Sequence, residues 1–269
     1  MKMLMEDIKN RQFKRVYLLT GEEIYLRNQY RKRLREALTD PEDTMNVSVY
    51  EGKGINPKEI IDLAETMPFF AERRVILIED SGFVKNACPE MAEYIPDIPE
   101  SACIIFSETE VDKRGKVYKA IKNTGRVVEF KRQEERTLAR WVLGILKKEG
   151  KNITEETMHA FLGRTGSDME NIERELEKLL CYTLGREVIT TKDVEEICTE
   201  QTENRIFEMI QAITEKNQKK ALNLYADLLE MKEPPMRILF LIARQFNQLL
   251  QLKSLSAQGM EKGEMAKKA

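Results

Sequence analysis

Glu65 to Asp80, ETMPFFAERRVILIED, joins two unlike pieces of sequence. Val75 to Ile78 is an apolar run of strand length that ends in two acids. Just before it stands Met67-Pro68-Phe69-Phe70, a proline followed by adjacent aromatics. Pro68 ends the helical pattern of Pro57 to Glu65. The residue before a proline avoids the helical region, and proline has no N–H to donate. Neighbours on a strand point to opposite faces, and on a helix they sit about 100° apart. Phe69 and Phe70 therefore do not both fit one core. Either one ring is buried and the other lies on a loop, or both form a knuckle that enters another protein's pocket.

The flanking sequence repeats the strand-and-helix alternation. Apolar runs at Val16 to Leu19, Val47 to Tyr50, Arg74 to Ile78, Cys103 to Phe106 and Arg126 to Phe130 read as five strands. Helical spacing separates them at Ile24 to Leu38, at Pro57 to Glu65 with Asn56 as N-cap, and at Lys116 to Lys122. A short helix is also expected among Pro89, Pro96 and Pro99. Strand runs that are apolar throughout belong to a parallel sheet covered on both faces, which makes the first part an α/β layer fold. After Lys131 the sequence is helical: Glu134 to Glu149, Thr154 to Leu162, a helix opened by Ser167-Asp168-Met169-Glu170 in capping-box spacing, and Asp193 to Cys198 after Val188-Ile189-Thr190. Glu203 to Lys216 and Gln218 to Lys232 form a hairpin, and Pro234-Pro235 opens a last helix from Met236 to Leu255. The apolar stripe of that helix is wide enough for two packing neighbours. Gln258 to Ala269 reads as a frayed tail.

Composition narrows the function classes. The 269 residues are 42% hydrophobic, and 44 basic residues stand against 46 acidic ones. A formal charge of −2 gives no general attraction to nucleic acid or to an anionic membrane. No apolar run approaches the roughly 20 residues of a membrane span, and no secretory signal precedes Phe13. Cys88, Cys103, Cys181 and Cys198 are scattered and, with the lone His159, make no zinc pattern, so buried reduced thiols and a structural histidine are expected.

The turn after the first strand, Thr20-Gly21-Glu22-Glu23, occupies the position of a phosphate loop. It has one glycine, two acids and no Lys-Ser/Thr pair, so ordinary ATP hydrolysis is not expected. Glu79-Asp80 mimics the acidic end of a magnesium-binding strand, and Ser107-Glu108 and Asp112 follow the fourth strand without evident partners. Arg27, Arg31, Lys32 and Arg35 lie on the second predicted element. They form either a solvated face or a phosphate-contacting one.

Taken together, Val16-Tyr17-Leu18-Leu19 with Gly21-Glu22-Glu23-Ile24-Tyr25-Leu26, Met67-Pro68-Phe69-Phe70-Ala71-Glu72-Arg73-Arg74-Val75, Leu138-Ala139-Arg140-Trp141, Gly166, Asn171, Glu175, Ile189-Thr190 and Asp193-Val194 resemble the delta subunit family of the bacterial DNA polymerase III clamp loader. The resemblance spans essentially the whole chain. It implies an AAA+-like (P-loop NTPase-type) domain over 1–132 with a five-stranded parallel sheet and no working nucleotide site. A small three-helix domain over 133–200 and an all-α collar domain over 201–269 would follow, the collar stopping short of the family's. It implies a cytoplasmic replication protein that needs no cofactor, has no catalytic activity of its own, and serves the DNA-directed DNA polymerase (nucleotidyltransferase) holoenzyme. Its partners would be the β sliding clamp, the delta prime and tau/gamma ATPase subunits, and primer-template DNA. The family's clamp-binding pair falls on Phe69 and Phe70, with Met67 and Pro68 beside them, and Glu65 stands where related motifs carry glutamine. This favours the knuckle. Two other readings stand beside it: an unconventional nucleotide-dependent enzyme using Glu79-Asp80 and the basic helix, and an AAA+-like scaffold without clamp contact.

Overall fold

The computed structural model describes residues 1–40, 42–199 and 202–257, and the tail expected from 258 to 269 lies outside them. The chain divides into two compact units, Met1–Glu134 and Glu135–Ala269.

In the first unit the order is α1 (Lys2–Asn10), β1 (Val16–Thr20), α2 (Ile24–Leu38), β2 (Val47–Glu51), α3 (Pro57–Glu65), β3 (Arg74–Glu79), α4 (Pro89–Tyr94), a 3-10 turn at Ile95–Asp97, β4 (Ala102–Glu108), α5 (Lys116–Thr124) and β5 (Arg126–Glu129). The strands form one parallel sheet ordered β2-β3-β4-β1-β5. Parallel neighbours need crossovers, and the intervening helices provide them. Strand alternation then sorts the apolar runs between two faces. Val16, Leu18, Ile76, Ile78, Ile104 and Phe106 pack with Ile60 of α3, Met91 of α4 and Ile121 of α5. Tyr17, Leu19, Val75, Leu77, Cys103 and Ile105 pack with Leu4 of α1 and Leu34 of α2. The sheet is thus the middle of three layers, the AAA+-like α/β arrangement.

Helix α1 is not evident in the sequence pattern. It is held from a distance: Asp7 receives two bonds from the Arg126 guanidinium, at 2.5 and 2.8 Å, and a third from the Tyr17 hydroxyl at 3.2 Å. A bidentate arginine–carboxylate pair fixes geometry as well as energy. It seats Leu4, which is fully buried, against the sheet.

The second unit contains α6 (Glu135–Lys148), β6 (Asn152–Ile153), α7 (Glu155–Thr165), α8 (Met169–Tyr182), β7 (Val188–Ile189), α9 (Thr191–Ile197), α10 (Thr202–Thr214), α11 (Gln218–Glu230) and α12 (Pro235–Ala257). Asp168, not Ser167, caps α8, accepting from the Asn171 N–H at 2.9 Å. The capping box is instead Thr190 with Asp193 at the start of α9. Ile206, Met209, Ile210, Leu228 and Ile238 form the core of α10 to α12. The stripe on α12 is not covered on two sides: Leu239, Phe240, Leu249 and Leu250 are exposed.

Gly21 supplies a local test of the sheet's geometry. Its φ is +121°, and a Cβ there would stand 2.1 Å from the Phe130 carbonyl oxygen. Backbone on backbone leaves nothing flexible to move. Gly21→Ala is expected to lower stability by about 3 kcal/mol, as strain and overpacking of this kind do, in urea unfolding monitored by circular dichroism.

Candidate functional site

The knuckle is built by what stops α3. The Thr66 N–H and hydroxyl both turn back to the Leu63 carbonyl, at 3.1 and 2.6 Å. Pro68 then prevents another helical turn. Phe70 has a φ of 49°, in the left-handed region that a bulky residue rarely occupies. The result is a tight bend carrying Met67 at 78%, Phe69 at 56% and Phe70 at 96% exposure. The two rings touch each other edge to face, with centroids 4.5 Å apart. Neither enters the core. Glu65, at the end of α3, accepts a bond from the Tyr94 hydroxyl at 2.7 Å.

Two side chains hold the main chain of this bend. Asn46, just before β2, accepts from the Phe69 N–H at 2.6 Å and donates to the Phe69 carbonyl at 2.9 Å. Arg74, the first residue of β3, donates to the carbonyls of Thr66, Met67 and Met45 at 3.4, 3.1 and 3.4 Å. Met45 is itself an exposed apolar side chain. Asn46 and Met45 were not singled out in the sequence, and Arg74 was read only as the start of a strand and part of the family motif, not as a support of the bend.

The opposite, C-terminal edge of the sheet is where an α/β domain places its nucleotide. Here most of the polar groups find partners within the chain, although the buried Arg27 Nε has no hydrogen-bond partner among the described residues. The Glu23 N–H at the start of α2 donates to the Phe130 carbonyl at 3.1 Å, and the Phe130 N–H donates to Thr20 at 2.7 Å. Glu79 forms an ion pair with Arg31. Asp80 accepts from the Thr109 N–H at 2.8 Å. Glu108, expected to stand without partners, is buried and accepts from the Ser81 N–H and hydroxyl and the Gly82 N–H. Burial pushes its carboxyl above the ordinary range, and the Ser81 and Gly82 bonds oppose that rise. Asp112 holds the Arg114 N–H at 2.9 Å.

The four basic positions singled out on α2 have different surroundings, and a fifth, Arg33, is exposed. Arg27 is buried and donates to the Thr109 hydroxyl at 3.0 Å. Arg31 is taken by Glu79, Arg35 is half-buried, and Lys32 is exposed, 3.9 Å from Glu36. His159 is exposed rather than structural. It lies 3.0 Å from Glu135 of α6, with both side chains largely exposed. Cys88, Cys103 and Cys198 are buried free thiols, but Cys181 is exposed, being on the outer face of α8. Among the described residues no cluster of His, Cys, Asp and Glu could hold a metal, and no helix is long and apolar enough to cross a membrane.

The first unit is an AAA+-like α/β domain with an exposed aromatic knuckle, and helices follow it. Family models described as DNA polymerase III, delta subunit, and DNA polymerase III delta subunit, C-terminal domain, match residues 17–131 and 203–269, together more than half of the sequence. The chain belongs to the DNA polymerase III delta subunit family. The DNA polymerase III subunit delta of Bacillus subtilis strain 168 is 28% identical over 273 residues, spanning 97% of this chain and 79% of that protein. The probable DNA polymerase III subunit delta of Aquifex aeolicus VF5 is 25% identical over 268 residues, spanning 95% and 74%. The solved Bacillus subtilis DNA clamp loader delta protein superposes with a TM-score of 0.67 at 26% identity, over 99% of this chain and 82% of that one.

The loop below the knuckle carries a carboxylate bound by its own neighbours. The Asn46 amide, then the N–H groups of Asn46 and Met45, hold the Asp43 carboxyl below the ordinary aspartate value. A depressed carboxyl stabilises the fold above its unfolded value, and that contribution is lost as pH falls through the folded value. Amide exchange at Met45 and Asn46 is therefore expected to gain on that of β3 as pH drops below about 4. An unchanged ratio would mean that Asp43 does not hold this loop.

Proposed function

We propose that this chain is the non-catalytic delta subunit of a cytoplasmic DNA polymerase III clamp loader. In this reading Met67, Pro68, Phe69 and Phe70 dock in a hydrophobic pocket of the β sliding clamp. The observation that carries it is two adjacent phenylalanine rings standing in solvent on a backbone held at both ends. A soluble fold has no use for such an arrangement in its own core. Burying each ring in a partner contributes roughly 1.5–3 kcal/mol, and a held backbone reduces the ordering that binding requires.

Opening follows from differential affinity. If the knuckle and its surroundings fit a clamp with one interface sprung better than a closed one, binding shifts the ring toward the open state. No hydrolysis is needed in this chain for that step. The internal pairing of the Glu23 and Phe130 N–H groups and of Glu79 supports placing ATP chemistry in partner subunits, delta prime and tau/gamma. The exposed apolar residues of α12 support a collar role for 201–269, with 1–132 the AAA+-like domain and 133–200 a lid-like helical domain. Primer-template DNA would meet the assembled loader through phosphate contacts, and on α2 Lys32 and Arg33 are the exposed basic side chains open to such a contact.

Titration against the β clamp of the same organism tests the reading. Wild type is expected to bind, and Phe69→Ala/Phe70→Ala to bind roughly a hundredfold more weakly, as the loss of two hot-spot aromatics would give. Equal binding by both would remove the knuckle from the mechanism. In parallel, calorimetric titration with ATP and magnesium is expected to give no binding heat. Tight, saturable binding there would favour the nucleotide-dependent enzyme.

A further inference from the structure

We infer that Asn46 is a positioning residue for clamp binding: its side-chain amide holds Phe69 in the binding conformation without touching the clamp. The inference rests on the knuckle reading above. Asn46 is 2% exposed, so it has almost no surface to offer a partner, whereas the rings it supports stand in solvent.

The geometry is that of one rung of a sheet made by a side chain. The Asn46 Oδ1 accepts from the Phe69 N–H at 2.6 Å, and its Nδ2 donates to the carbonyl of the same residue at 2.9 Å. Both backbone groups of Phe69 are therefore taken, as in a strand pair. The second Nδ2 hydrogen goes to Asp43 Oδ2 at 2.8 Å. That bond orients the amide: both neighbours of Nδ2 are acceptors and the neighbour of Oδ1 is a donor, so a flipped amide would lose all three bonds. The main chain of Asn46 is anchored in turn, its carbonyl accepting from the Val75 N–H at 2.8 Å at the start of β3. The route runs from sheet to Asn46, to the Phe69 backbone, to the two rings.

Only asparagine satisfies these demands at this size. Aspartate keeps the bond from the Phe69 N–H but sets a second carboxylate against Asp43 and the Phe69 carbonyl. Alanine loses all three bonds and frees a bend that already holds Phe70 at a φ of 49°. When a binding-competent conformation is only partly populated, apparent affinity falls by that fraction. Losing the two neutral hydrogen bonds to the Phe69 backbone corresponds to a population change of about tenfold.

The test is clamp titration of the full chain as wild type, Asn46→Ala, Phe69→Ala/Phe70→Ala, and the triple variant. Asn46→Ala is expected to weaken binding about tenfold where the rings are present and to change nothing where they are absent. A merely structural role would lower both backgrounds alike, and that result overturns the inference. So does unchanged binding by Asn46→Ala while the ring variant loses affinity. If the ring variant binds like wild type, the knuckle reading itself falls, and this inference with it. Asn46→Asp covers the case in which the alanine variant does not fold. Its affinity relative to wild type is expected to be reduced at neutral pH and to recover toward pH of about 5, where two facing carboxyls share a proton and one can donate again. A flat pH ratio overturns the assigned hydrogen bonds.

Discussion

Burial of the central sheet on both faces is the constraint from which the rest follows. Because β1, β3 and β4 have helices above and below, their residues are apolar without alternation, and all three are buried along nearly their whole length. The edge strands β2 and β5 carry mixed burial, as an edge permits. Once the central strands are fixed, the loops at their two ends are fixed too. The N-terminal ends of β2 and β3 lie side by side, with Val47 opposite Val75, and this brings Asn46 and Arg74 beneath the bend at Phe69. The site is thus a consequence of sheet register, not of a loop chosen independently.

The two ends of the sheet have been put to opposite uses. At the C-terminal end, carboxylates that could have faced a nucleotide and its metal are spent on the protein's own groups. Glu108 gathers the Ser81–Gly82 turn, Glu79 takes Arg31, and Asp80 takes Thr109. A buried carboxylate with three donors is stable where one without them would be strongly destabilising. At the N-terminal end, the backbone is satisfied and the side chains are left exposed. The named carboxylates at one end are paired within the chain, and the apolar side chains at the other are open.

Legibility in the sequence followed the range of the interactions. The five strands and the helices between them could be read because short apolar runs and helical spacing are local signals. Helix α2 begins and ends where its spacing says, and α3 ends where Pro68 forces it to. The bend was legible at Pro68, but the adjacent Phe69 and Phe70 left two readings open, and only the family resemblance favoured exposure of both rings. What failed was non-local. Helix α1 depends on Asp7 meeting Arg126, and the knuckle's support depends on Asn46 meeting Phe69 across 23 residues. No window of sequence contains either pair. Likewise, a row of arginines on α2 carries the same formal charge whether it faces solvent or, like Arg27, is buried beside Thr109. The cap of α8 was misplaced by one residue because Ser167 and Asp168 are both good N-caps, and only backbone geometry decides between them.

That the bend is held by its backbone rather than by its side chains has a consequence for recognition. Packing the rings against this chain would fix them well, but it would use the apolar area that a partner must bury. Asn46 and Arg74 avoid the conflict, because what they hold of the bend is its main-chain N–H and carbonyl groups from Thr66 to Phe69 and not its rings. The rings cover one another instead, edge against face, a contact worth roughly 0.5–1.5 kcal/mol beyond the area it buries. A pocket that accepts them as a joined pair keeps that contact, while a pocket that separates them must replace it. On the docking proposed above, a single apolar pocket wide enough for two rings therefore suits the knuckle better than two separate ones, with Phe69 fixed and Phe70 left at the tip.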